Sequence, residues 1–322
     1  MKVSLVEYAG KREKSRALAK KAGTLSFFLG PYGICFLLFF VFPFVFGIIM
    51  SLCSFDASSM YPSKFVGLSN YQKLFQDNVL SRDFWSSVWT TVKFDLIIVP
   101  LSILIPLGLA LLINIKPPGY KFFRAAIYLP GVFPLTATGL ILLKMFSHDN
   151  GFINSVFNTS VDWFGNTGTA WFMVGLLCIW CGIGGNFIIL CAGLENVDKS
   201  LYEAANVDGC SGFKKFLYVT LPAIEPQLFM CLFTTFIGYM NLYGQLFILT
   251  SNTPDQSAMK SAVYRIQDLL MGSTRTYGYA ASMGICLGII IIAVAIVQLV
   301  LSKDRKGGNK REKGFVAWKK SQ

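Results

Sequence analysis

Residues 202–222 read YEAANVDGCSGFKKFLYVTLP, a mixed polar stretch with a glycine in its middle and a proline at its end, set between two strongly apolar runs. Asp198 or Ser200 can cap a helix that begins near Leu201, and Glu203 falls in its first turn, where a carboxylate suits the positive helix end. Ala204 and Ala205 keep one face low. Gly209 lets the chain reverse, and a second short helix carries Phe213, Phe216 and Leu217, with Lys214 and Lys215 on its wetter side, until Leu221-Pro222 ends it. The product is a helix-turn-helix whose small-residue surface suits a partner's cleft. From these residues alone an ordinary loop is an equal reading.

The surroundings of this stretch define the class of protein. Of 322 residues, 54% are hydrophobic and 14% charged, and the mean hydropathy is +0.54, outside the usual range of a soluble domain. The charges are clumped. None occurs between Lys21 and Asp56, Asp95 and Lys116, Arg124 and Lys144, Asp162 and Glu195, Glu225 and Asp255, or Arg275 and Lys303. Each gap holds about 19 residues or more, enough at about 1.5 Å per residue to cross a ~30 Å hydrocarbon core. The chain is therefore read as an all-α integral membrane protein. Its six transmembrane helices fall near 27–53, 96–115, 124–145, 168–194, 228–250 and 278–302, with the quoted stretch between helices four and five. Residues 1–24 form a basic N-terminal segment, 25–302 the six-helix domain with its loop at 196–222, and 303–322 a basic tail. A cleaved signal peptide fits the first span poorly, because the apolar run is too long and no small-residue cleavage site follows.

Lys and Arg set the orientation. With both termini inside, the inner segments collect Lys2, Lys11, Arg12, Lys14, Arg16, Lys20 and Lys21, then Lys116, Lys121 and Arg124, then Lys199, Lys214 and Lys215, then the tail. The net charge of +12 has the same origin; it flanks spans and lines no nucleic-acid face. The cysteines lie mostly in spans or on the inner side and read as small apolar residues, not as disulfides. Cys178 and Cys181 make a C-x-x-C without a second ligand pair, which argues against a metal site. The lone histidine, His148, has no nucleophile near it, and no G-x-x-x-x-G-K-[ST] loop occurs. Gly182, Gly184 and Gly185 before Asn186 lie inside a span, where small residues permit close packing or line a cavity. No Asp or Glu falls inside a span, which weighs against an ion-coupled carrier, and the catalytic inventory is close to empty.

Glu203-Ala204-Ala205, Asp208-Gly209, Val219 and Leu221-Pro222 together resemble the EAA loop of permease subunits in binding-protein-dependent ABC importers, with Val219 for the usual isoleucine and Cys210 for the usual alanine. Other segments resemble carbohydrate permeases of the maltose and glycerol-phosphate type. They are FVGLSNY (65–71), Phe84-Trp85, FFRAAIYLPGVFP (122–134), GFIN (151–154), LTSNTPDQSAMKSAVYRI (249–266) and YGYAASMG (277–284). Asn252-Thr253-Pro254 stands where Gly-Gly-Pro is usual.

The resemblance implies a multi-pass subunit of the bacterial cytoplasmic membrane with both termini inside. It further implies a second, distinct permease, two ATP-binding subunits that hold ATP and Mg, and an extracellular solute-binding protein that delivers a carbohydrate. This chain itself holds no cofactor, is not an enzyme and binds no nucleic acid. Glu203 would supply a charge-assisted contact to the ATPase, Ala204 and Ala205 close approach and Gly209 the turn, with Asp208, Leu221 and Pro222 completing the motif. The family's sugar-contacting positions, counted from the Leu-Pro, fall on Thr235, Tyr239 and Leu242, and in the earlier spans on Cys178, Gly182 and Gly131.

Helical spacing divides the polar residues of span five into two faces, Thr235-Tyr239-Leu242-Tyr243 and Thr234-Gly238-Asn241-Gln245. The first is expected to line the sugar pathway and the second to form a helix seam. With no Arg or Lys in mid-span, a neutral mono- or oligosaccharide is favoured over glycerol phosphate, and a uronate fits only if the partner brings a cation. The orientation has a direct check: in a cysteine-free background, a cysteine placed at Ser211 is expected to resist a membrane-impermeant maleimide added to intact cells and to react after permeabilisation.

Overall fold

The protein is described by a computed structural model over residues 25–55, 61–76, 79–250, 259–272 and 276–319. The basic N-terminal segment and Asn252-Thr253-Pro254 lie outside the described residues. The described residues fall into two compact units, those up to residue 71 with 276–285, and those from 72 to 272 with the residues from 286 onward.

In the first unit, α1 (Leu25–Ser51) is an apolar helix with almost every side chain exposed. Its π-helical turn, Leu37–Val41, sits just before Pro43 and is closed by the Phe42 amide on the Leu37 carbonyl; the added residue accommodates the ring that a regular turn would crowd. A short antiparallel ladder follows, β1 (Cys53–Phe55) with β2 (Pro62–Phe65), a small departure from the all-helical expectation. Gly67, at φ +58°, turns the chain into α2 (Ser69–Gln76). The FVGLSNY segment is then explained by its hydrogen bonds. Asn70 Nδ2 donates to the carbonyls of Ser51 (2.8 Å) and Cys53 (3.0 Å), and the Tyr71 hydroxyl bonds Ser51 Oγ at 2.7 Å. The start of α13 (Tyr277–Lys319) meets the same knot, since a Cβ at Gly278 would lie 2.1 Å from the Cys53 carbonyl oxygen.

The second unit contains α3 (Leu80–Asn114), α4 (Tyr120–Val132), α5 (Leu135–Met145), α6 (Phe152–Phe157) and α7 (Thr167–Glu195). It continues with α8 (Lys199–Val207), α9 (Gly212–Ala223), α10 (Glu225–Met240), α11 (Gly244–Thr250) and α12 (Ala262–Met271). Among the described residues, α1, α3, α7 and the first part of α13 are long and apolar enough to cross a membrane, and two bent pairs, α4 with α5 and α9 with α10, raise the count to six.

Four expectations are corrected here. The second span begins at Leu80 and not near 96, because Phe84, Ser87, Val88, Thr91 and Phe94 repeat at helical spacing and bury one face. Asp95 thus lies within a helix and is wholly buried, so an acidic residue does sit inside a candidate span. The third and fifth spans are not single helices. Phe133 is extended ahead of Pro134 and bends α4 from α5 by 96°, while Ile224, between Pro222 and Pro226, bends α9 from α10 by 68°. Leu221-Pro222 does not end the loop's second helix. A π-helical stretch, Phe216–Thr220, absorbs the proline, and the break comes at Ile224. The fifth span breaks again after Met240.

The core lies where α7 packs on α3, with Met173, Leu177, Phe187 and Leu190 fully buried. Phe94 meets Trp171 at 4.9 Å between ring centroids, and the Ile98 side chain fills the space over Gly175. In lipid such contacts hold helices by close packing and not by water expulsion. Small residues set the approach elsewhere. A Cβ at Gly139 would lie 2.7 Å from Ile248, and one at Gly244 2.9 Å from Leu135, so α5 and α11 run close together in the same direction. The GFIN loop is held by buried Asn154, whose Nδ2 donates to the Val161 carbonyl (2.9 Å) and whose Oδ1 accepts from Trp163 Nε1 (3.1 Å).

At Gly184 an added Cβ would stand 2.8 Å from the Tyr128 backbone oxygen, which cannot swing aside. Gly184→Val is expected to lower stability by about 2 kcal/mol. Gly185→Ala, with open space around it, should change stability by less than ~1 kcal/mol. Thermal unfolding in detergent reads both.

Candidate functional site: a projecting loop and a buried polar seam

The loop of residues 196–222 is built from caps and short bonds. The Asp198 carboxylate accepts from the Ser200 amide at 2.9 Å and starts α8, and Ser200's hydrogen bonds hold that carboxyl below its usual range. Gly209, at φ +68°, carries the left-handed turn, and the Ser211 hydroxyl caps α9. Two contacts tie the helices together: Tyr202 OH bonds Thr220 Oγ1 at 2.9 Å, and Lys215 Nζ donates to Asn206 Oδ1. Arg124, at the start of the third span, pairs with Glu195 at the end of α7 at 2.6 Å, just before the loop.

Within the motif, Glu203, Ala204, Asp208 and Gly209 are exposed, whereas Ala205 is buried. Around them stand Leu201, Phe213 and Val207, the last 89% exposed. Leu221 is half-buried and Pro222 exposed. The loop therefore presents a mixed apolar and acidic edge on a small rigid frame.

The second feature is a polar seam between α3, α7 and α10. Tyr239, at the end of α10, donates its hydroxyl hydrogen to the Cys178 carbonyl at 3.0 Å. Its oxygen also lies 3.0 Å from Ser102 Oγ, and with the phenol hydrogen committed, the serine is the donor there. Asn186 closes the network, giving one amide hydrogen to the Ser102 carbonyl (2.8 Å) and the other to Thr235 Oγ1 (3.0 Å). Gly182 lies directly over the Tyr239 hydroxyl, where an added Cβ would come to 3.0 Å.

Of the pathway residues expected from sequence, Cys178, Gly182, Thr235 and Tyr239 are brought together here. Leu242 is buried in the turn after α10, with its carbonyl accepting from Ser261 Oγ. Tyr243 packs instead against Phe247 and Tyr264, at 5.6 and 5.7 Å. Gly131 is exposed, its Cα facing the Cys181 carbonyl on α7. Ser102, Asn186 and Asp95 were not foreseen as site residues. A serine in an apolar run carries no signal, and the amide at 186 was visible only as a neighbour of the glycines.

The two faces of the fifth span differ in burial. Tyr239 is 8% exposed and bonded on both sides, while Thr234, Gly238 and Asn241 are exposed. Thr234 and Asn241 bond only carbonyls of their own helix, Met230 (2.9 Å) and Ile237 (2.8 Å). The physical cause is that α10 turns its larger aromatic face into the chain's own core. Tyr239→Ala is therefore expected to cost about 3 kcal/mol of stability. Asn241→Ala should cost less than ~0.5 kcal/mol. Unfolding midpoints of the two purified variants decide.

Residues 102–307 match the family described as binding-protein-dependent transport system inner membrane component. The chain is 31% identical over 287 residues to the arabinooligosaccharides transport system permease protein AraP of Bacillus subtilis, covering 87% of this chain and 88% of the relative. It is 30% identical over 281 residues to the sulfoquinovosyl glycerol transport system permease protein SmoG of Agrobacterium fabrum, with 86% and 89% covered. A chain from the crystal structure of a bacterial ABC transporter involved in the import of the acidic polysaccharide alginate shares the fold, with a TM-score of 0.78 at 20% identity over 90% of this chain and 99% of that one. The chain belongs to the binding-protein-dependent inner membrane components, as a non-catalytic, multi-pass permease subunit of an ABC importer in the carbohydrate-uptake group.

Proposed function

We propose that this chain forms one half of a two-permease pathway that imports a neutral mono- or oligosaccharide by ATP-driven alternating access. Two ATP-binding subunits, which carry ATP and Mg, dock beneath the loop of residues 196–222, and an extracellular solute-binding protein delivers the sugar from the opposite side. Both termini and the loop face the cytoplasm. The observation that carries the reading is the loop itself: an exposed edge of Glu203, Ala204, Asp208 and Val207 on a helix pair bonded to the base of the fifth span through Tyr202 and Thr220. Glu203 supplies a charge-assisted contact to the ATPase, Ala204 allows close approach, and Ala205 packs the helix onto its own frame. Gly209 makes the turn, and Leu221 with Pro222 joins the pair to the membrane helix. ATP binding draws the ATPases together, α8 moves with them, and α9 and α10 follow as connected rigid pieces.

The pathway has two layers in this proposal. Thr234, Gly238 and Asn241 form the open face toward the partner permease, and Thr235, Tyr239, Cys178 and Gly182 form a closed layer behind it, flanked by Leu242, Tyr243 and Gly131. Lys93 on α3 is exposed and lies over the Trp89 ring, away from the seam, and among the described residues no lysine or arginine bonds to Tyr239, Asn186 or Ser102, so a neutral sugar is the best fit. The name of the Agrobacterium relative supports a second reading: a sulfonated, phosphorylated or uronate sugar, which would need a cation from the partner subunit.

The test separates coupling from assembly. Glu203→Lys reverses a charge on the docking edge, and Gly209→Pro imposes a φ near −65° where the chain needs +68°. Each should lower sugar uptake at least about tenfold and weaken ATPase co-purification, with the permease level in the membrane unchanged. Full uptake and full ATPase association in both variants would remove the loop from the mechanism.

A further inference from the structure

Helix α3 carries a stripe of buried polar side chains, Ser87, Thr91, Asp95 and Ser102. Three of them are satisfied. Ser87 Oγ donates to the Phe84 carbonyl at 2.7 Å. Thr91 Oγ1 donates to the Ser87 carbonyl at 2.9 Å and accepts from the Ala262 amide at 3.1 Å. Ser102 belongs to the Tyr239 node. Asp95 is different: it is 0% exposed, and neither carboxylate oxygen has a hydrogen-bond partner. A buried carboxylate left without donors is among the costlier features a fold can keep, and at membrane depth such groups mark function.

Its neighbours have a chemistry of their own. Phe94, the residue before the acid, faces Trp171 at 4.9 Å and Tyr239 at 6.4 Å, so three aromatic rings from three helices cluster one position along α3 from Asp95. Asp95 stands two helical turns from Ser102 on the same face of α3, and Ser102 meets the Tyr239 hydroxyl. Gly175 and Gly182 keep the facing side of α7 low. Aromatic faces that stack on sugar C–H faces, beside an acceptor for hydroxyl or ammonium hydrogens, make a carbohydrate-binding set. Among the described residues no group of three His, Cys, Asp or Glu is placed to hold a metal, so the acid acts as a single acceptor.

We propose that Asp95 is a substrate-binding residue, whose carboxylate accepts hydrogen bonds from hydroxyl or ammonium groups of a sugar resting on the Phe94, Trp171 and Tyr239 rings when the seam opens outward, and which disfavours acidic sugars. This rests on the import of sugars by alternating access proposed above. It assigns the choice between the two substrate readings to one residue. Buried as it stands, the carboxyl is held neutral; once the seam opens to water it ionises, and the negative charge that then bonds a hydroxyl repels a uronate, sulfonate or phosphate.

The experiment uses the full transporter, with its partner permease, ATPases and binding protein, in proteoliposomes. Uptake of arabinotriose, lactose and maltose first identifies the best neutral probe; if the wild type takes up none of them, the neutral-sugar reading fails and this inference falls with it. The complex held outward by a non-hydrolysable ATP analogue is then treated with dicyclohexylcarbodiimide, and modification of Asp95 is read by peptide mass. The neutral probe and a glucosamine disaccharide should each reduce labelling at least about threefold, whereas digalacturonate should not. Asp95→Asn should lower uptake of the neutral probe about tenfold and raise the uptake of digalacturonate relative to it, with ATPase stimulation by the binding protein retained. Labelling unchanged by a sugar that the complex transports would overturn the proposal, and so would an Asn variant with the wild-type ratio of neutral to acidic uptake. If the variant does not assemble, the wild-type labelling decides alone.

Discussion

The hydroxyl of Tyr239 is the point on which the second unit turns. It joins α10 to α7 through the Cys178 carbonyl and to α3 through Ser102, and Asn186 repeats the connection through the Ser102 carbonyl and Thr235. In a hydrocarbon environment polar groups find partners inside the protein, and each partner on another helix fixes a register that apolar packing alone leaves loose. A single such bond is worth about 1 kcal/mol, so the seam's effect lies in specificity more than in bulk stability. Phe94, Trp171 and the glycines at 175 and 182 then fit around a frame already set.

From this node the structure leads to the projecting loop through short, stiff connections. α7 runs on to Glu195, which Arg124 holds, and Asp198 starts α8 with its own carboxylate. The return path is α9, bonded to α8 through Thr220 and Tyr202 and bent by 68° into α10, which ends at Tyr239 and Met240. On the proposed reading, a displacement at the loop is delivered to the seam along this route, with the bend at Ile224 as the joint.

Much of this was legible in the charge gaps. Spans one and four begin and end within two residues of α1 and α7, and span six starts one residue after α13 does. The early start of α3 was hidden because Asp83, Lys93 and Asp95 made its N-terminal half look like a loop, although the buried residues there keep helical spacing. The bends in spans three and five escaped because hydropathy does not register a proline that redirects an apolar run. Polarity alone also could not tell which face of α10 turns inward. Thr235 with Tyr239 and Thr234 with Asn241 are similar in polarity, and the choice was made by Ser102 and Asn186, residues far away in sequence. The loop motif was readable because its glycine and caps act locally, whereas Asp95 needed the fold to show that it is buried with no hydrogen-bond donor to its carboxyl.

If the Tyr239 hydroxyl is the contact that sets the register of three helices, it must be energetically coupled to Ser102. A double-mutant cycle of Ser102→Ala and Tyr239→Phe, read as unfolding free energy of the purified permease in one detergent, measures this directly. We expect a coupling energy of about 1 kcal/mol, with the double variant less destabilised than the sum of the singles. Strict additivity of the two changes would contradict the account and leave the seam as two unconnected polar residues.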